Sequence, residues 1–350
     1  MTAAEVTTRA TVADPRALNA SLMSVFNGKN IDSIMSEQIF EQLFSGNLSE
    51  IELAGMLMAM KFRGETPDEI SGAARSMRKF CKTLDLGTDT VFDTCGTGGD
   101  NSGSFNISTS SAIILSSIGV PVAKHGNRSV SGKSGSTDFL EALGIPVNLK
   151  DNDAVAYYRN HNFIYMAAPD YHPAMKFAVP VRKQLGVRTI FNYLGPLTNP
   201  AGAKRQAIGF FSHELLEKYA LTAIQLNYER VILYSSYDGM DEVSPYDKTL
   251  VYEIQNGVPT TFTIDPAEYI SPLEAASIPV DLDPQENAAL FIDTVSAGKE
   301  TSLAKLLALN SALALFAYDE KTCINDNYHL VMDKIISGEV YRKLRSLIKG

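Results

Sequence analysis

The sequence predicts an α/β fold: a helical N-terminal part, a larger α/β part on a mostly parallel central sheet, and a helical C-terminal region. Three observations carry this. Residues 17 to about 86 repeat their apolar side chains at helical spacing, as in Leu53, Met56, Leu57 and Met60. From Val91 short apolar runs alternate with helical ones, which argues for a parallel sheet. From Glu286 onward the pattern is again mostly helical.

The helical part is punctuated. Ser49 and Glu52 make a capping box ahead of the Leu53 run, and Gly64 ends it. Thr66-Pro67-Asp68-Glu69 opens the next helix with Pro at its first position. The Met-rich stripe reads as core or subunit interface. Val91-Phe92-Asp93-Thr94 reads as a buried strand, followed by glycines and a helix over residues 110–118. Residues 120–123 form a second strand leading into a polar loop, 124–136. Asp138 with Glu141 caps the next helix and Gly144 ends it. Phe163-Ile164-Tyr165-Met166 is a third strand. Residues 173–186 read as helical and are expected to pack back on the N-terminal helices. Strands near 206–211 and 230–235 flank a helix. Residues 250–254 and 260–264 flank Asn256-Gly257, which predicts a hairpin.

Composition narrows the function. The 350 residues suit about two domains. A net charge of −9 speaks against nucleic-acid binding, which favours a basic face. No apolar run reaches the ~18 residues that span a membrane. The first 16 residues lack the apolar stretch of a secretory leader and read as a disordered tail. Cys81, Cys95 and Cys323 offer neither metal spacing nor a disulfide framework, so reduced thiols in a cytoplasmic protein are expected.

Five stretches could carry chemistry. Asp93-Thr94-Cys95-Gly96-Thr97-Gly98-Gly99-Asp100 places glycines after a strand, where bare backbone N–H groups can approach an anion. It fits neither the dinucleotide fingerprint nor the P-loop. Ser104-Phe105-Asn106-Ile107-Ser108-Thr109-Ser110 stands at a helix N-terminus, where hydroxyls cap the helix or hold phosphate or Mg²⁺. The 124–136 loop concentrates three cations, four serines and three glycines, a phosphate-binding composition. Asp241-Glu242 follows a strand, where ligands bind in open α/β sheets. Ala168-Pro169-Asp170-Tyr171-His172-Pro173-Ala174-Met175 precedes Arg182, a candidate fork for a substrate carboxylate, and Arg188-Thr189-Ile190-Phe191-Asn192. No Ser-His-Asp or Cys-His arrangement is evident.

In this order the stretches resemble the anthranilate phosphoribosyltransferase family, within the class II-like nucleoside phosphorylases and phosphoribosyltransferases. They run Gly-Thr-Gly-Gly-Asp, Asn-Ile-Ser-Thr, Lys-His-Gly-Asn-Arg, His-Pro-Ala-Met and Arg-Thr-Ile-Phe-Asn-Tyr-Leu-Gly-Pro-Leu-Thr-Asn-Pro. The resemblance covers the chain from about Ala17 to near the C-terminus. It implies a helical domain of residues 17–86, joined by part of 173–200, hinged to an α/β donor-binding domain of residues 87–350. It also implies a homodimer through the helical domains, with anthranilate and phosphoribosyl pyrophosphate as substrates. Mg²⁺ is the implied cofactor, two ions per site with the donor bound.

The resemblance assigns the donor to Gly96, Gly99, Asp100, Ser104, Asn106, Ile107, Ser108 and Thr109. It adds Lys124, His125, Gly126, Asn127, Arg128, Ser129, Val130, Ser131, Gly132 and Ser136. Anthranilate falls to Gly96, Asn127 and Arg182, and metal to Ser108, Asp241 and Glu242. Ser104 stands where the family commonly has Thr, and Gly132 where it has Ser, which removes one hydroxyl from the donor. No side chain is assigned as acid or base; Lys124 and Arg182 act by charge and position. The rival readings are a pyrimidine nucleoside phosphorylase and a non-catalytic nucleic-acid-binding relative.

Overall fold

The computed structural model describes residues 15–98, 102–128 and 133–349. Four helices come first: α1 (Pro15–Phe26), α2 (Ser33–Phe44), α3 (Glu50–Arg63) and α4 (Pro67–Lys79). Helix α1 begins two residues inside the segment read as a tail; residues 1–14 lie outside the described residues. Both expected capping boxes form, Ser49 with Glu52 and Thr66 with Glu69. Glu69 also does what the sequence did not reveal. Fully buried, it accepts from the Ile31 backbone N–H and pairs with Arg63 at 2.7 Å, tying α4 to α3 and to the approach of α2.

The α/β part runs β1 (Phe92–Gly96), α5 (Ile107–Ser117), β2 (Val122–Gly126), α6 (Ser136–Leu143), α7 (Asp151–His161) and β3 (Phe163–Ala167). Then come α8 (Ala168–Tyr171), a 3₁₀ turn (Pro173–Phe177), α9 (Val179–Leu185) and α10 (Phe191–Leu194). Strand β4 (Arg205–Gly209), α11 (Glu214–Gln225), β5 (Arg230–Ser236), β6 (Thr249–Gln255) and β7 (Val258–Ile264) complete the sheet. Helices α12 (Pro272–Ala276), α13 (Pro284–Ser296), α14 (Ser302–Tyr318), α15 (Ile324–Ile336) and α16 (Glu339–Lys349) close the chain. The expected fold class is borne out.

The sheet order is β3-β2-β1-β4-β5-β6-β7. Its first five strands are parallel; the last two are antiparallel and form the expected hairpin. Asn256 and Gly257 turn it with φ of 49° and 80°, the left-handed pair that matches strand twist. Alternation along β5 divides the core: Val231 and Leu233 pack with α1–α4 and α11, while Ile232 and Tyr234 pack with α5 and α14. Ala178, Val181 and Phe191 join the first group, so residues 173–186 do pack against the N-terminal helices.

Two local expectations are corrected. Gly135, not Asp138, is the N-cap of α6; Asp138 is its third residue and accepts from the Gly135 N–H at 3.0 Å. Glu141 is then free of a capping role and pairs with Arg128 at 2.5 Å. Strand β2 begins two residues later than expected and runs through Lys124, His125 and Gly126. Those polar residues read as loop. They sit in register with Tyr165, Met166 and Ala167 of β3, and their polar groups have partners inside.

Candidate active site

Strand order fixes the place. From β1 the chain steps outward to β2 and β3, then returns to lay β4 on the other side of β1. The loops leaving the carboxyl ends of β1 and β4 therefore diverge, the crevice where open α/β sheets bind ligands. Gly96 and Gly209 end these strands side by side. Into this point drops the β5–β6 loop with Asp241 and Glu242, which are only 8% and 7% exposed.

Glycine is required here for space. A Cβ on Gly96 would stand 2.5 Å from Asp241 Oδ2, and one on Gly209 would stand 1.7 Å from the Asp241 carbonyl oxygen. Asp241 Oδ2 accepts from the Gly98 N–H at 2.7 Å. Glu242 Oε1 accepts from the Ser108 N–H at 3.0 Å, in the first turn of α5, and Oε2 from the Tyr234 hydroxyl at 3.4 Å. A carboxylate there is favoured by the helix dipole. Helix α5 begins three residues earlier than expected, which puts Ser108 and Thr109 in its first turn.

Lys124 is 1% exposed and donates to the Thr94 carbonyl and to Ser108 Oγ. Thr94 Oγ1 donates to the Ser108 carbonyl at 2.8 Å, locking β1 to α5. Asn106 bonds Ser134 reciprocally, donating to its carbonyl at 3.3 Å and accepting from its hydroxyl at 2.8 Å. The Thr137 N–H donates to the Asn127 carbonyl at 3.3 Å, and a Cβ on Gly126 would meet Ser136 Cβ at 3.0 Å. Four of the five stretches thus converge. Gly96, Ser108, Lys124, Asp241 and Glu242 form one group, and Asn106, Gly126, Asn127 and Ser136 border it.

Other expected residues are placed elsewhere. His125 points to the opposite face from Lys124, because neighbours in a strand alternate. Its ring bonds the Gly195 carbonyl through Nδ1 and lies 5.1 Å from the His172 ring, so the imidazole does not join the glycine loop. Arg128 is exposed and paired with Asp138 and Glu141. Ile107 is core. Arg182 sits with its guanidinium 5.2 Å from the Phe191 ring centre, without a hydrogen bond to Gly96 or Asn127; burial lowers its pKa. Arg188 lies 3.8 Å over the Phe211 ring. Ser104 lies on the loop before α5. Gly99, Asp100, Ser129, Val130, Ser131 and Gly132 lie outside the described residues.

Several contributors escaped sequence reasoning. Gly209 had a signal, a lone glycine at the end of a strand pattern, which marks close backbone approach. Asp93 opens the glycine stretch, with nothing in the sequence to mark its role. It is fully buried and accepts from Asn199 Nδ2 at 2.7 Å and the His125 N–H at 3.2 Å. Burial raises its pKa to about 6, against the pull of Lys124. Asn199 stands in the Leu-Thr-Asn-Pro run of the resemblance, which gives it no role, and Tyr234 carries no signal.

The histidine pair gives a pH prediction. Burial lowers His125 to about 3 and His172 to about 4, from 6.5. A depressed folded pKa contributes stability that is present above pH 6.5 and lost as pH falls toward 4. Asp93, raised from 3.8 to about 6, works the other way: its contribution is full below 3.8 and lost as pH rises through 6. Two histidines outweigh one carboxyl, so the urea midpoint falls between pH 7 and pH 5. The fall is smaller in His172→Gln; equal falls would remove the pair as its source.

Among the described residues no group of three or more His, Cys, Asp or Glu could hold a metal alone. Two buried carboxylates beside a hydroxyl instead suit Mg²⁺, which keeps waters and shares a ligand's phosphate oxygens.

Comparison with known proteins agrees with this architecture. A family model described as glycosyl transferase family, a/b domain, matches residues 88–341, and the helical bundle domain of that family matches residues 21–81. Anthranilate phosphoribosyltransferase of Bacillus licheniformis is 38% identical over 330 residues, 94% of this chain and 97% of its own length. The crystal structure of anthranilate phosphoribosyltransferase from Thermus thermophilus superposes with a TM-score of 0.85 at 33% identity, over 94% of this chain and 98% of that one. The Saccharomyces cerevisiae enzyme in complex with PRPP and Mg shares the fold, with a TM-score of 0.85 at 24% identity over 96% of this chain and 98% of that one. The chain belongs to the glycosyl transferase family of these two domains and, within it, to the anthranilate phosphoribosyltransferase family.

Proposed function

We propose that the chain transfers the 5-phosphoribosyl group of phosphoribosyl pyrophosphate to the amine of anthranilate, releasing pyrophosphate, the second step of tryptophan biosynthesis. One observation carries the reading: Asp241 and Glu242 meet Gly98 and Ser108 at the strand switch point. The relatives' names supply the donor and acceptor.

The bond from the anomeric carbon to pyrophosphate oxygen breaks, and its electron pair leaves with pyrophosphate. The bond to the anthranilate nitrogen forms, and that nitrogen loses a proton to solvent. An aromatic amine is neutral at pH 7, so no strong base is required. The work is positional and electrostatic. The dipole of α5 and the hydroxyls of its first turn favour the anionic donor, and Lys124 adds a water-shielded positive charge behind Ser108. Arg182 is assigned to the acceptor carboxylate, reached when the helical part closes on the sheet. Mg²⁺ is the proposed cofactor, two ions per site, which Ser108, Asp241 and Glu242 would hold. When bound it neutralises charge on the leaving group.

We assign residues 17–86, with part of 173–200, to a helical domain and residues 87–350 to the donor-binding domain. A homodimer through the helical domain is proposed from one face of α3. Ile51 is 86% and Phe62 95% exposed, with Met58 between them on the same stripe. Phe62→Glu should convert a dimer to a monomer in sedimentation equilibrium; a wild-type protein of monomer mass would sink the assignment. A cytoplasmic location is proposed from the three free thiols; no helix among the described residues is long and apolar enough to cross a membrane.

The test is loss of anthranilate fluorescence with protein, phosphoribosyl pyrophosphate and Mg²⁺. No loss, alongside phosphate-dependent cleavage of thymidine, would replace the reading with a nucleoside phosphorylase.

A further inference from the structure

The two loops assigned to the donor, after β1 and after β2, share a support that neither contains. Asp281 stands two residues before the N-cap of α13, in the left-handed region with φ 58°. Its N–H donates to the Gly103 carbonyl at 2.7 Å, and its carbonyl accepts from Lys133 Nζ at 2.7 Å. One residue thus holds the first loop through its N–H and the second through its C=O. The approach is close: a Cβ on Gly103 would be 2.3 Å from Asp281 Oδ1.

Asn287, one turn into α13 and 1% exposed, fixes the turn that presents Asp281. Its Nδ2 donates to the carbonyls of Leu282 and Asp283, both at 3.0 Å. Its Oδ1 accepts from the Asn106 N–H at 3.4 Å. Asn106 is the N-cap of α5 and makes no side-chain cap bond. Its side chain is spent on Ser134, one residue from Lys133. With the chain links from Lys133 to Ser134 and from Leu282 to Asp281, the bonds close a circuit through Asp281, Lys133, Ser134, Asn106, Asn287 and Leu282, to which Gly103 is tied. Beyond it α13 is anchored in the core by Ala288, Phe291 and Val295.

We propose that Asp281, Lys133 and Asn287 are positioning residues that brace the two donor loops at a fixed spacing, so that both engage the phosphate groups of one ligand as a unit. The proposal rests on the reading of these loops as the donor site. Its physical basis is preorganisation: glycine- and serine-rich loops lose much freedom on binding an anion, and a loop already held loses less. Lys133 enters the brace through one of its three N–H donors, which the Asp281 carbonyl accepts.

Three variants test it: Lys133→Ala, on an exposed position that folding does not need, Asn287→Ala, and the double variant. Each single change should raise the KM for phosphoribosyl pyrophosphate about five- to tenfold, the effect of losing a fixing hydrogen bond or two. The KM for anthranilate should not move. The double variant should be little worse than the poorer single one, because both arms act through one brace. Amide hydrogen exchange on the free protein gives a ligand-independent reading: Lys133→Ala should speed exchange at residues 102–106 as well as at 133–136. An unchanged donor KM, a double effect equal to the product of the singles, or faster exchange confined to 133–136 would overturn the brace. If the wild-type protein fails to bind the donor with Mg²⁺ in calorimetry, the donor reading falls. The exchange result alone then decides whether the loops are mechanically joined.

Discussion

Replacing Asp241 by Asn together with Glu242 by Gln should lower kcat/KM about a thousandfold, and activity should lose its dependence on Mg²⁺ concentration. Both carboxylates are nearly buried, yet each is tied by a backbone N–H, at Gly98 and at Ser108. Two adjacent acids in a confined place repel each other, and the α5 terminus and Lys124 lie beside them. A divalent ion held by Ser108, Asp241 and Glu242 would offset that repulsion. The amide replacements keep shape and an acceptor oxygen, so the loop should remain seated and the melting temperature should change little. Assay of initial rates across a Mg²⁺ titration, with thermal melts in parallel, decides it. A normal titration curve would end the metal role of both residues.

Gly209→Ala should cost about 3 kcal/mol of stability and lower activity further than that loss explains. The added methyl would stand 1.7 Å from the Asp241 carbonyl oxygen, 2.7 Å from its carbonyl carbon and 3.1 Å from the Tyr234 ring. The first two atoms are backbone, in a loop closed by Ser236 Oγ, which donates to the Glu242 carbonyl and contacts Thr249 Oγ1. Either the loop lifts or β4 slides. A lifted loop breaks the Gly98 bond and carries the acids away from α5, which is why catalysis should suffer more than folding. Gly195→Ala is the control: it has no atom within 4 Å of the added carbon and an ordinary φ of −50°, so it should shift stability by less than about 0.5 kcal/mol. Urea midpoints and rates on both variants make the comparison. Equal behaviour would refute the steric argument.

The fold was largely legible because its signals are local. Capping boxes at Ser49 and Thr66, the Asn256-Gly257 turn and the alternating apolar runs each act within a few residues. The candidate site was legible as separate stretches but not as an assembly. Nothing near Asp241 in sequence says that it contacts Gly98, 143 residues away. Polarity misled at β2, where Lys124 and His125 look like loop yet are buried with partners supplied by β1 and the turn around Gly195. Arg128 and Glu141 misled because charge alone does not tell a ligand contact from a surface ion pair. Asn287 was invisible because its role is to hold other residues' backbone.

The consecutive residues Lys124 and His125 carry a consequence for how the chain must fold. One peptide unit of β2 sends a cation toward α5 and a neutral ring toward His172. A slip of β2 by a single residue would exchange these environments. It would set an ammonium against the His172 ring and an imidazole where the anion is expected. A misregistered molecule would therefore be chemically inverted, not slightly impaired. The requirement that makes the site specific also rejects the wrong strand pairing, so fidelity of assembly and capacity for catalysis are enforced by the same two side chains.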